Sequence, residues 1–119
     1  MAPAADNTGA FAVSLMTFSP GIRGVQRSFK LRSVNFQGRL WLLAKDAAKA
    51  LGTPVNSLRQ RCQSGLDSSA WGYATVPDKT GRPAMMMLVA VDDLARFLCG
   101  ARTRQGRMFR RWLEGLTRP

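Results

Sequence analysis

A chain of 119 residues, 45% of them apolar and with three Trp and six Phe, is sized for one domain around a modest core and is unlike a disordered tail. Its 18 Lys and Arg outweigh 7 Asp and Glu, a formal charge of +11 that favours a polyanionic partner. With no histidine, and with Cys62 and Cys99 far apart and outside any C-x-x-C spacing, Ser-His-Asp and Cys-His catalysis, a zinc site and a disulfide framework all lose their raw material.

Residues 1–27 read as an N-terminal tail, partly without order, in which 11–18 can form a strand before Ser19-Pro20-Gly21 ends it. The apolar run at 10–18 is too short and too interrupted for a signal peptide or a membrane span. A domain occupies 28–119. Residues 28–34 and 40–44 alternate as a pair of strands joined near Gln37-Gly38, with Phe29, Leu31 and Ser33 on one face and Lys30 and Arg32 on the other.

The spacing of Leu43, Ala47, Ala48 and Leu51 predicts a first helix over 44–51, with Lys45, Asp46 and Lys49 facing out and Gly52 as a left-handed cap. Thr53 is expected to cap a second helix with Pro54 at its first position. In it Val55, Leu58 and Cys62 should pack inward, leaving Asn56, Ser57, Arg59, Gln60 and Gln63 outside. Residues 65–72 read as a polar loop containing Trp71. Residues 73–76 and 84–89 form a second hairpin around the turn at 77–81, with Met85 to Leu88 as buried strand.

Asp92 should cap a third helix reaching about Cys99, with Leu94, Phe97 and Leu98 inward; capping explains Asp92-Asp93 better than a catalytic pair does. Residues 102–116 make an amphipathic last helix: Met108, Phe109, Trp112, Leu113 and Leu116 share one side and Arg104, Arg107, Arg110 and Arg111 the other. The fold class expected is a small α+β domain, two β-hairpins packed on three to four helices.

Fourteen of the cations are Arg, whose planar fork pairs with phosphate and with guanine edges. Phosphate-binding loops of the G-x-x-x-x-G-K-[ST] or G-x-G-x-x-G type are missing, and the Asp residues are too scattered for a two-metal nuclease. No enzyme, metal or cofactor is expected. Both thiols are expected to be buried in a reducing cytoplasm, with no membrane involvement.

Ala48, Gly52 and Leu58 stand where a helix-turn-helix needs a small residue, a turn and a lock on its second helix. The stretch resembles the start of lac-repressor-type domains, where an Asp-x-Ala motif precedes the turn Gly. That likeness makes Val55, Asn56 and Ser57 the first groove-facing residues, with Gln60 one turn on; a helix pair serving structure alone is the alternative. Asn and Gln pair with adenine and Arg with guanine, each good bidentate contact contributing ~1–3 kcal/mol of discrimination. The base-reading candidates are therefore Asn56, Ser57, Arg59, Gln60 and Gln63. The phosphate-binding candidates are Lys45 and Lys49, the hairpin pair Lys79 and Arg82, and Arg104, Arg107, Arg110 and Arg111.

A broader likeness rests on two landmarks: the segment Leu40-Trp41-Leu42-Leu43-Ala44-Lys45-Asp46-Ala47-Ala48-Lys49-Ala50-Leu51-Gly52, and Phe109-Arg110-Arg111-Trp112-Leu113 with Glu114, Leu116 and Pro119 after it. From Ser28 onward the chain resembles the BRO family N-terminal domain of phage antirepressors and large DNA viruses. The resemblance implies a viral or prophage regulator that binds nucleic acid. Double-stranded DNA is the partner expected, with a homodimer suited to a palindromic site. The other reading is a protein-binding module, an antirepressor or inhibitor that captures an acidic host or phage protein.

Overall fold

Alternation and turn chemistry make five strands: β1 (Ser14–Phe18), β2 (Phe29–Phe36), β3 (Arg39–Leu43), β4 (Trp71–Pro77) and β5 (Pro83–Ala90). They form one antiparallel sheet in the order β1-β2-β3-β5-β4. This computed structural model describes residues 13–19, 28–36, 38–78 and 80–117. Residues 1–12 and 20–27 of the expected tail, Gln37, Lys79 and residues 118–119 lie outside the described residues. The strand read at 11–18 is seen over Ser14–Phe18, on the outer edge of β2.

Gly38, at φ +74°, takes the left-handed position of the first hairpin's tight turn. In the second, the Asp78 carboxylate accepts the backbone N–H groups of Thr80 (2.8 Å) and Arg82 (3.0 Å) and the Thr80 hydroxyl. These donors hold the Asp78 carboxyl below its usual range. Four helices complete the fold: α1 (Ala44–Leu51), α2 (Val55–Gly65), α3 (Val91–Phe97) and α4 (Arg104–Thr117). A 3-10 turn at Ser68–Ala70 leads into β4 and another at Leu98–Gly100 leads out of α3.

The helices share a core with one face of the sheet: Leu31, Leu42, Met87 and Val89 meet Leu58, Leu94, Phe109 and Leu113. The other face carries a smaller apolar cluster of Val34, Leu43, Ala74, Val76 and Leu88. Both faces being apolar is why Leu42-Leu43 and Leu88-Val89 read as unbroken hydrophobic runs. Burial of Leu42 alone stabilises by about 1.5–3 kcal/mol. Phe18 brings β1 into this core, its ring 5.1 Å from Phe109 and 5.6 Å from Trp112.

Several local expectations are corrected. Asp46 does not face out; it is only 6% exposed. The β2–β3 ladder ends at Ser33 and Leu42, where the chain turns directly into α1. Asp46 takes up the next position: its Oδ2 accepts the Arg32 backbone N–H and Nε at 2.9 Å each, and Oδ1 accepts Nη2 at 3.0 Å. That bond to Asp46 raises the Arg32 pKa further. Pro54, not Thr53, is the extended residue before α2. The Thr53 N–H instead donates to Ala48 O, closing α1 around left-handed Gly52.

Val55 is 40% exposed, leaving Leu58 and Cys62 as the buried pair of α2. Trp71 opens β4 instead of lying in a loop, and Met85, at 68% exposed, lies outside the buried part of β5. Val91 starts α3, so Asp92 and Asp93 fall in its first turn and clamp Arg39, with Asp93 also holding Arg96. Cys62 is buried, which pushes its thiol pKa up; Cys99 is exposed, contrary to expectation.

Candidate nucleic-acid interface

Helical periodicity sorts α2 cleanly. Leu58 and Cys62 point into the core, so the positions between them turn outward. Asn56, Arg59, Gln60 and Gln63 are exposed, and Ser57 is half-buried. Arg59 Nη2 donates to Asn56 Oδ1 at 2.8 Å, placing a guanidinium and an amide side by side on the outer face. Gln63 Nε2 lies 3.3 Å from the Tyr73 hydroxyl of β4, tying the end of α2 to the sheet. The short turn through Gly52, Thr53 and Pro54 connects α1 to α2, and Lys45 and Lys49 are exposed on α1.

On α4, Phe109 and Leu113 are buried and the arginines fall on the far side. Arg104, Arg107 and Arg111 are exposed. Arg110 is half-buried, with its Nε 2.9 Å from Glu114. These four line one open concavity with Met108 and Glu114. Arg82 is exposed at the tip of the second hairpin, roughly 15 Å along the strand from Tyr73 at ~3.3 Å per residue. The described candidates therefore lie on α1, on α2 and, sharing one concavity, on α4, with Arg82 on the second hairpin.

Charge accounting favours these patches as anion contacts. Every acid among the described residues is engaged within the fold: Asp46 by Arg32, Asp92 and Asp93 by Arg39, and Glu114 by Arg110. Asp67 accepts from the Ser69 hydroxyl and Asp78 organises its turn. Among the described residues no carboxylate forms an ion pair with Lys45, Lys49, Arg59, Arg104, Arg107 or Arg111, and Glu114, held by Arg110, is the one described acid lining the α4 concavity.

Sequence reasoning missed Arg61 and Arg102. Arg61 lies over the Phe97 ring at 5.4 Å. Both residues line the groove where the α1–α2 turn meets the connection into α4. The hint was that Arg61 is charged at a position that helix-turn-helix domains usually fill with an apolar residue. Among the described residues no group of three His, Cys, Asp or Glu could hold a metal, and no helix is long and apolar enough to cross a membrane. No family model, no curated protein and no solved structure matches the chain.

Proposed function

We propose that this chain is a non-catalytic regulator that binds double-stranded DNA, of the phage antirepressor kind that its BRO N-terminal resemblance implies, acting in a bacterial cytoplasm. The observation that carries the reading is the outer face of α2. A helix locked by Leu58 and Cys62 presents Asn56, Arg59 and Gln60 together, and among the described residues no carboxylate forms an ion pair with Arg59 or with Lys45 and Lys49 of α1. Asn and Gln suit adenine edges and Arg suits guanine. Lys45 and Lys49 on α1 and the arginines of α4 supply the phosphate contacts that set register and most of the affinity.

The test is a fluorescence-anisotropy titration with pooled duplex DNA across a salt series, then selection of a preferred sequence. About six phosphate contacts give a log–log salt slope near −5. Asn56→Ala with Gln60→Ala should weaken the selected sequence roughly tenfold or more and leave pooled DNA almost unchanged. Arg104→Ala with Arg107→Ala should weaken both and flatten the slope by about two. A protein that ignores duplex DNA even at low salt refutes the reading, and capture of an acidic protein partner becomes the function to pursue.

A further inference from the structure

The groove between the α1–α2 turn and the start of α4 has a volume of about 470 Å³, and Thr53, Arg61, Phe97, Arg102 and Thr103 line it. None of its described lining residues is acidic. Arg61 and Arg102 are exposed, and among the described residues no carboxylate forms an ion pair with either. Two guanidinium groups thus stand over a partly apolar floor of Phe97 and Leu98, where reduced access to water strengthens the attraction for an anion.

Specific contacts build the groove. Arg61 and Gly65, one turn apart on α2, both meet Phe97 of α3. The Arg61 guanidinium carbon lies 5.4 Å from the ring centre, and a Cβ added at Gly65 would stand only 2.8 Å from the ring. Glycine therefore lets the ring reach α2, and the cation–π contact holds the Arg61 head at the groove. Where α4 begins, Gln105 Nε2 donates to Ala50 O of α1, and the Thr103 hydroxyl oxygen accepts the Gly106 N–H at 3.0 Å. The hydroxyl keeps its own proton to donate. Arg107 Nη1 donates to Arg102 O at 3.1 Å. Arg107 also lines the α4 concavity, so groove and concavity adjoin at this bond.

Arg61, Arg102, Arg104, Arg107, Arg110 and Arg111 thus line two adjoining depressions, in which Glu114 is the one described acid. A run of this length suits a ligand whose negative charge repeats, as the phosphates of a duplex do, better than it suits a single carboxylate. The guanidinium fork matches two phosphate oxygens, and threonine hydroxyls donate to the same group. Given the proposed DNA binding, on which this step rests, we infer that the groove holds a backbone phosphate of the duplex, gripped by Arg61 and Arg102. Gly52 and Thr53 wall the groove just ahead of α2 and its first outward amide, Asn56. The phosphate held there fixes the register of α2 on the duplex.

The probe is the duplex recovered by selection, tested by ethylation interference, in which each phosphate in turn carries an ethyl group. Two further contacts steepen the expected salt slope from near −5 to about −7. Arg61→Gln with Arg102→Gln should weaken selected and pooled DNA alike, by roughly tenfold or more, and lower the slope by about two. The phosphates held in the groove should drop out of the interference pattern, while those lost with Arg104→Ala and Arg107→Ala persist. Melting curves check that the variants fold. If replacing Arg61 uncovers Phe97 and unfolds the protein, Arg102→Gln alone should remove a phosphate from the pattern and lower the slope by about one. An interference pattern unchanged by these variants, even with a lower slope, makes the two arginines a diffuse field; it overturns the inference and leaves DNA binding standing. Failure to bind any duplex overturns both.

Discussion

Two junctions in this molecule share one construction and differ in one respect. At Leu43 and at Ala90 a central strand enters a helix directly, with nearly the same backbone angles (φ −67°, ψ 127° and φ −69°, ψ 132°) and no capping side chain. Each places an aspartate in the helix's first turn, where the backbone dipole favours a negative charge. At the first, Asp46 is enclosed and spends both oxygens on one arginine of the neighbouring strand. At the second, Asp92 and Asp93 share Arg39 and Arg96 nearer the surface, with the Arg96 side chain 77% exposed. The same local sequence device acts as a lock where both partners are largely covered and as a looser network where Asp92 and Arg96 stand in solvent, because water screens the second more than the first.

The comparison breaks most sharply at Asp46. Asp46→Ala strands the Arg32 guanidinium and its backbone N–H, so thermal denaturation should show a loss of about 3–5 kcal/mol, more than ~10 °C in melting temperature. Retention of near-native stability would show that the pair is not a lock. Replacing both partners, Arg32→Met with Asp46→Leu, removes the charges and still leaves the Arg32 N–H without its acceptor. A residual deficit of roughly 1–3 kcal/mol in urea unfolding is expected, and full recovery would assign the whole effect to charge.

Asp93→Ala opens the exposed network and should cost about 0.5–1 kcal/mol by the same measurement; a loss matching that of Asp46→Ala would erase the distinction between the junctions. The smallest effect belongs to Asp78, whose partners are its own turn. Its carboxyl titrates below the ordinary value when folded, so its contribution is present above the unfolded pKa and fades as pH falls through the folded one. Asp78→Asn should therefore melt slightly lower at pH 7 and converge with the parent protein in strong acid.

Much of this architecture was legible in the sequence, and the gaps have a common cause. The hairpin turn at Gly38, the left-handed stop at Gly52 and the apolar stripe of α4 are set by residues within one or two turns of each other. The outer face of α2 was legible as the remainder once Leu58 and Cys62 were placed inside. Asp46 was misplaced because its partner lies on β2, beyond the reach of helical periodicity. Trp71 and Val55 went astray because pairing with β5 and the bare start of α2 depend on tertiary packing. The likeness of the β3–α1 and β5–α3 segments was present but faint, since only Asp46, Ala48 and Leu51 find identical counterparts in Asp93, Ala95 and Leu98; the pairing of Leu42 with Val89 along the β3–β5 seam makes it visible.

That seam also shapes how the chain reaches its native state. Each hairpin closes over a few residues and its helix begins at once, so both halves are built from contacts close in sequence. Pairing β3 with β5 is the long-range encounter that joins them, and chain entropy makes such encounters slow relative to local closure. Two quickly formed halves thus meet along Leu42 and Val89, and the speed of folding is governed by how readily those two strands find each other.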